Sequence, residues 1–328
     1  MTLANDILFQ YKGDTYEPIQ RHKTGLTSFD LALRKSETEC GMPLGTGYEV
    51  FGAKSTGKST FCRSLSAILG KQLQLNIVDA DLEGSDPGHG QNILRFHGYD
   101  GIIRLIHQGT DEEILEHLEN AMLGRLDKDD TDYSIGILDS IAAISPVAER
   151  DGDLGQANMG RRAFLMAQFT RRLLPTVHPR TIGSKKVYFM TNHWYSQIGT
   201  KGYQSPGGNV KDYLFGIQIH LKRRYVTVNG KSSRSYPDGS YILEGTIYKN
   251  RYGRDREEFQ VFVKGGAGIH PGITAVIDAQ EMGIVNKAGH VKIGDQSFGY
   301  LSQIIKNEWE NDEFFQPFYD ALKEYEND

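Results

Sequence analysis

The chain has 328 residues, 24% charged and 38% hydrophobic, the balance of a folded globular protein with room for one large domain and an appendage. A net charge of −5 excludes a uniformly basic nucleic-acid binder, so any contact with a polyanion must come from local patches. Two cysteines, Cys40 and Cys62, exclude a disulfide framework and a thiolate zinc site. No run approaches the ~20 apolar residues of a membrane span, and no secretory leader is visible at the N-terminus, so a cytoplasmic location without membrane contact is expected.

In chain order, residues 1–25 are polar and mixed, with one short apolar run at Ile7, Leu8 and Phe9, which reads as an edge strand or a segment that docks on a neighbour. Residues 48–51 are an apolar run and residues 61–69 are helix-like. Between them Gly52, Ala53, Lys54, Ser55, Thr56, Gly57, Lys58 and Ser59 complete a G-x-x-x-x-G-K-[ST] loop, with Thr60 next. A strand, a Gly-rich turn and a helix N-terminus aim backbone N–H groups at a phosphate chain. Lys58 then reaches the β- and γ-phosphates and the Ser59 hydroxyl serves Mg²⁺, so a nucleoside triphosphate is the expected ligand. Cys62, just inside the helix, reads as a small buried side chain.

Residues 75–79, 134–139 and 186–191 read as buried parallel strands ending in polar residues, and 114–126 and 161–174 have helical spacing. Beyond 212 the segments 216–224, 241–249 and 258–264 alternate as antiparallel strands, with turn signals at Asn229-Gly230 and Pro237-Asp238-Gly239. The expected fold is α/β: a central, mostly parallel sheet, an antiparallel extension and a small C-terminal α/β module. The expected segments are 1–25 for subunit contact, 26–268 as core and 269–328 as the module. Ligands of such sheets lie at the C-terminal strand ends. There Asp139 is placed to hold Mg²⁺ with Ser59, and any of Asp79, Asp81 and Glu83 is placed to orient the attacking water. Asn192 and His193 end a third strand, where a polar side chain can sense the γ-phosphate.

With these motifs in order, the chain resembles the RecA family of recombinases from about Gly25 to its C-terminus. The resemblance is carried by residues 24–33 before the phosphate loop, Ile77 to Asp81 at the second strand, and Ile137 to Ala143 around Asp139. Further matches are 152–162 at the first DNA loop, 206–213 at the end of the second, Tyr248-Lys249-Asn250-Arg251, and 284–289 in the C-terminal domain. The resemblance implies a RecA-like P-loop ATPase core, ATP as the nucleotide, and Lys249 and Arg251 reaching a neighbouring subunit's nucleotide. The family's catalytic Glu falls on Asp81, one methylene shorter, with Glu83 the alternative in a loop one residue longer. Its γ-phosphate-sensing Gln falls on His193, and its base-stacking Tyr on His89, after Asp86 and Pro87. The divergence suggests a phage or mobile-element branch, working in a bacterial host cell.

The first DNA loop, 146–159, holds Arg150 and leads to Arg161 and Arg162. The second, 194–211, holds Trp194, Tyr195, Lys201, Tyr203, Gly207, Gly208, Asn209 and Lys211. Cations neutralise phosphates, aromatic faces stack on bases and glycines admit the strand, while chemistry for reading base edges is lacking. Lys222, Arg223 and Arg224 read as a solvated strand end. The expected function is a DNA-dependent ATPase and recombinase that forms a helical filament on single-stranded DNA and exchanges strands with double-stranded DNA. The alternatives are a RecA-like mediator or regulator without strand exchange, and a closed ring in place of a filament.

Overall fold

The computed structural model describes residues 19–126, 131–147, 160–177, 185–196, 203–204, 215–228, 231–307 and 311–327. In chain order they form β1 (Arg21–His22), α1 (Thr27–Ala32), β2 (Met42–Pro43), β3 (Thr46–Gly52), α2 (Lys58–Leu73), β4 (Asn76–Asp81), α3 (Pro87–Phe96), β5 (Ile103–Ile106), α4 (Asp111–Leu123) and β6 (Tyr133–Asp139). There follow α5 (Arg161–Val177), β7 (Val187–His193), β8 (Tyr195–Ser196), β9 (Tyr203–Gln204), β10 (Phe215–Arg223), β11 (Val226–Val228), β12 (Lys231–Ser233), β13 (Tyr241–Asn250), β14 (Glu258–Lys264) and β15 (Gly268–Ile269). The chain continues with α6 (Pro271–Glu281), β16 (His290–Ile293), β17 (Gln296–Tyr300), α7 (Leu301–Asn307) and α8 (Asp312–Asn327).

Nine strands make one sheet in the order β15-β14-β13-β10-β3-β7-β6-β4-β5. Pairing is parallel from β10 to β5 and antiparallel from β10 through β13 and β14 to β15. The α/β class with a mostly parallel sheet is therefore as expected. The turn to antiparallel comes one strand later than the alternation suggested, because β10 runs parallel to β3. A half-buried alternating strand looks the same in sequence whichever way its neighbours run.

Local chemistry sets the helix ends. α4 opens on a capping box, with Glu113 N donating to Thr110 Oγ1 (3.2 Å) and Thr110 N to Glu113 Oε2 (2.8 Å), and closes at Gly124 with φ 66°. Its apolar residues alone placed it three residues too late. α3 opens on Asp86, whose Oδ1 accepts from Gly88 N (3.0 Å), with Pro87 at the first helical position.

One sheet face packs on α2, where Phe61, Leu65 and Leu69 join Phe29, Tyr48 and Val50; Cys62 is fully buried there, as its position suggested. The other face packs on α4 and α5 through Leu118, Met122, Phe169 and Leu173. A third cluster joins α6 and α8 to the antiparallel strands through Ile242, Phe262, Val276, Phe315 and Phe318.

Two buried carboxylates fix the chain around α1, Asp30 bonding the residues just before it and Asp278 joining it to α6. Asp30 accepts from Thr24 N and Gly25 N (both 3.0 Å), and Asp278 accepts from Ser28 N (3.0 Å). Burial pushes each up to about 7. A carboxyl raised in the folded state contributes stability below the unfolded value near 4, and that contribution is lost as pH rises through the folded value. The melting temperature of the native chain is therefore expected to fall relative to that of Asp278→Asn between about pH 4 and about pH 8. Parallel pH profiles for the two would show that Asp278 does not titrate this way.

Candidate active site

Parallel register gathers the site at one edge of the sheet. Gly52 pairs with His193 across β3 and β7, and Asp81 with Asp139 across β4 and β6. Beyond Gly52 the chain turns through exposed Ala53, Lys54 and Ser55 into α2 at Lys58. Gly57 has φ 110°, and a Cβ there would lie 2.5 Å from the Tyr241 hydroxyl, so both conformation and space require glycine. Thr56 Oγ1 donates to Ala53 O (2.6 Å), closing the loop. Lys58 Nζ donates to Ala53 O (3.0 Å) and Gly52 O (3.3 Å). Burial lowers the Lys58 pKa, and the charges of Glu83 and Asp139 oppose the shift. Ser59 and Thr60 complete the first turn, with Thr60 Oγ1 3.4 Å from His89 Nε2.

Of the three candidate water-orienting acids, Asp79 and Asp81 both touch Arg63, while Glu83 bonds Ser140 and approaches His193. Asp79 is buried against Arg63, whose Nε lies 2.7 Å from Asp79 Oδ2. The Asp81 carboxylate accepts from Glu83 N (2.9 Å), Gly84 N (3.0 Å), Ser85 N (3.0 Å) and the Ser85 hydroxyl. Its oxygens are thus engaged by its own loop. Glu83 is carried over the strand ends by that loop: Glu83 Oε1 accepts from Ser140 Oγ (2.5 Å) and lies 3.3 Å from His193 Nε2.

His193 bridges Lys58 and Glu83, with Nδ1 3.5 Å from Lys58 Nζ. Lys58 only donates and a carboxylate only accepts, so neutral His193 accepts at Nδ1 and donates at Nε2. Asn192 faces the other way. Its Nδ2 donates to Glu49 Oε1 (2.7 Å), and Gln218 Nε2 donates to Glu49 Oε2 (2.7 Å), a fully buried polar row across three strands. Of the two polar residues ending β7, His193 is the one at the phosphate loop.

Asp139 accepts from Thr191 Oγ1 (2.5 Å) at Oδ1 and lies 3.6 Å from Arg63 Nη2 at Oδ2. Among the described residues there is no cluster of three or more His, Cys, Asp or Glu able to cage a metal. A hydroxyl at Ser59 and a carboxylate at Asp139 are hard oxygen donors. They fit a magnesium ion held mainly by phosphate oxygens and water. Asp86 spends its side chain on capping α3, and His89, in the first turn of α3, reaches toward Thr60, its pKa lowered by burial and by Arg63.

Lys249 and Arg251 lie elsewhere. Lys249 Nζ donates to Phe215 O (3.2 Å) and Arg251 N to Gly216 O (2.9 Å), and Phe215 pairs with Gly47 at the start of β3. Five residues of strand separate that level from Gly52, roughly 16 Å at 3.3 Å per residue.

Of the expected DNA contacts, Arg161 is exposed and Arg162 half-buried in the first turn of α5, and the same helix leaves Phe164 69% exposed. Trp194 packs on His220 (ring centroids 4.2 Å) and Phe51 (5.2 Å), where β7 leads into the second loop. Tyr195 and Tyr203 lie on the short antiparallel pair β8 and β9. Arg150, Lys201, Gly207, Gly208, Asn209 and Lys211 lie outside the described residues.

Two residues escaped the sequence reading. Arg63 sits at the centre of the acids, and its signal was a cation inside the apolar stretch of α2. Arg223 is not a solvated strand end: its Nε donates to Thr56 O (3.2 Å) and its guanidinium lies 3.8 Å from the Tyr241 ring centroid. Lys222 and Arg224 instead pair with Glu244 at 3.1 and 3.8 Å. The pairing of β10 with β3, which carries Arg223 past Gly52, was not readable from local sequence.

A family model described as the RecA N-terminal domain matches residues 5–235. "Protein RecA" of Sulfurovum sp. (strain NBC37-1) is 28% identical over 296 residues, covering 88% of this chain and 78% of the relative. "Protein RecA" of Nautilia profundicola is 31% identical over 220 residues, covering 63% and 55%. The crystal structure of a KaiC-like protein from Pyrococcus horikoshii OT3 matches with a TM-score of 0.51 at 17% identity, covering 77% of this chain and 98% of that one, a likeness of fold.

Proposed function

This chain belongs to the RecA family, and from that premise we propose that it is an ATP-dependent recombinase acting as a filament on single-stranded DNA. The observation that carries the proposal is the division of the site. One chain places Lys58, Ser59, Asp139, Glu83 and His193 together, while Lys249 and Arg251 sit at the far end of the same sheet. Such a chain completes its site only against a second copy, and a heterologous contact repeated along one direction builds a filament.

Within the site, the loop N–H groups and Lys58 hold the phosphates and Glu83 orients the attacking water. Ser59 and Asp139 would hold Mg²⁺, which when bound neutralises charge on the phosphates. His193 reads the γ-phosphate from the root of the second loop. Lys249 and Arg251 of the next subunit meet the negative charge as it shifts in transfer. ATP then bridges two subunits, and hydrolysis removes the bridge, so nucleotide state and DNA affinity are linked.

DNA contact is assigned to the two loops and to α5, where Arg161, Phe164, Gln168 and Arg171 recur at helical spacing on the exposed side. Subunit contact is assigned to residues 1–25, of which 1–18, with Ile7, Leu8 and Phe9, lie outside the described residues. The surface proposed to receive a neighbour is the sheet edge at β5, where Leu105 on the strand is 38% and Ile102 just before it 52% exposed. The bacterial cytoplasm is the proposed location. A mediator without strand exchange is the second reading, favoured by the His193 and Asp81 departures.

Electron microscopy with ATP and single-stranded DNA is expected to show filaments, and a strand-exchange assay on the same sample ATP-dependent joint molecules. Rings or monomers would remove the filament; filaments without joint molecules would favour the mediator.

A further inference from the structure

We infer that Arg63 is a positioning residue for ATP hydrolysis: its guanidinium ties Asp79, Asp81 and Asp139 into one network, which commits Asp81 to the loop and leaves Glu83 to meet the attacking water. This rests on the ATPase reading. Arg63 is 5% exposed, on α2, one turn beyond Lys58. Its Nε and Nη2 lie 2.7 and 3.5 Å from Asp79, Nη2 lies 3.4 Å from Asp81 Oδ2 and 3.6 Å from Asp139 Oδ2, and Nη1 donates to Ser85 Oγ (3.2 Å). One planar cation therefore touches the strand ends of β4 and β6 and the loop after β4.

Three carboxylates this close repel one another and are costly to bury without a counter-charge. Arg63 supplies that charge from α2, the helix that also carries Lys58, while Lys58 Nζ itself bonds the carbonyls of Gly52 and Ala53. With Asp81 held at Oδ2 by Arg63 and Ser85, its Oδ1 accepts the N–H groups of Glu83 and Gly84. That fold of the loop lays Glu83 against Ser140 and His193. Without the guanidinium Asp81 keeps only its loop donors, so the loop is no longer tied to Asp79 and Asp139 and loosens. A lysine keeps the charge but cannot span three carboxylates with a planar fork.

The network also borders a cavity of about 510 Å³, lined by Arg63, Asp79, Asp81 and Ser85 with Leu94 and Leu105. A small cation can therefore reach the position of the missing guanidinium in a truncated variant.

The test uses the full chain with Arg63→Lys and Arg63→Ala. Arg63→Lys is expected to lower kcat about tenfold or more with the KM for ATP changed by less than about threefold. Amide exchange across residues 82–86 is expected to quicken by a similar factor. Arg63→Ala is expected to lose more, and added guanidinium chloride, at concentrations below those that unfold the chain, to restore turnover several-fold beyond potassium chloride of equal strength. Arg63→Lys with native turnover and native exchange in 82–86 overturns the inference, as does rescue of Arg63→Ala by potassium equal to that by guanidinium. Should Arg63→Ala not fold, Arg63→Lys decides. If the native chain itself fails to hydrolyse ATP, the ATPase reading falls on its own, while exchange in 82–86 still tells whether Arg63 holds the loop.

Discussion

Lys58→Ala is expected to weaken nucleotide binding by about 2–5 kcal/mol, roughly 30- to several-thousand-fold, and to abolish hydrolysis. Lys58 is buried under the loop, its ammonium bonded to the carbonyls of Gly52 and Ala53, and burial alone would favour its neutral form. A triphosphate offers it better acceptors than those carbonyls, and no other described cation stands in that place. Arg223 contacts the loop from behind, through Thr56 O, and cannot substitute. Lys249→Ala with Arg251→Ala is expected to fail differently, retaining binding while losing turnover, because Lys249 Nζ bonds Phe215 O, a level about 16 Å along the strands from the same chain's phosphate loop, and the Arg251 backbone N–H bonds the adjacent Gly216 O. Mixing the two defective chains then makes a distinct result. Wherever a chain with an intact loop abuts a chain with an intact Lys249 and Arg251, the site is whole. Random equal mixing gives that arrangement at about a quarter of interfaces, so up to about a quarter of native turnover is expected from two inactive partners. Absence of recovery at every mixing ratio, with both chains incorporated in the same assemblies, would leave the division of the site without support.

What the sequence disclosed about this site, and what it withheld, follows the range of the interactions. The phosphate loop is contiguous, and its strand, glycines and helix are local, so Gly52 to Ser59 could be placed from spacing alone. Asp139 and His193 were legible because a buried parallel strand reads as an apolar run and its last residue falls at the ligand edge. The choice among Asp79, Asp81 and Glu83 was not legible. It depends on a loop that turns Asp81 inward onto its own N–H groups and on Arg63, a contact sixteen or more residues distant in sequence. Asn192 and His193 are neighbours with like chemistry. Only strand pleating, which sends successive side chains to opposite faces, separates the one bonded to Glu49 from the one beside Lys58. The short edge strand β5 and the helix α3 left no strong period, being four and ten residues long and bounded by glycines and caps.

Glu83→Gln is expected to lower hydrolysis by about 10²–10⁴-fold while leaving nucleotide binding nearly native. Glutamine keeps the size of the side chain and its bond from the Ser140 hydroxyl, but it cannot accept a proton from water. Asp81→Asn is expected to act by another route. The amide oxygen can still accept from Glu83 N and Gly84 N, but the amide nitrogen in place of Oδ2 cannot accept from Ser85 N, the Ser85 hydroxyl or Arg63, so the loop loosens and turnover falls by less than about tenfold. The two variants are therefore separated by how each loss arises. Glu83→Gln should reduce kcat with native loop protection, whereas Asp81→Asn should reduce kcat only as far as protection in 82–86 is lost. The opposite ranking, with Asp81→Asn inactive and Glu83→Gln near native, would assign the water to the carboxylate one methylene shorter. It would also require Asp81 to leave Arg63 and at least three loop donors on binding nucleotide. Charge-assisted bonds to a buried carboxylate are each worth about 1.5–3 kcal/mol, so that rearrangement would have to be driven by contacts with the triphosphate of comparable size. Glu83 needs no such rearrangement: it already stands beside His193, over the strand ends that Lys58 and Asp139 share.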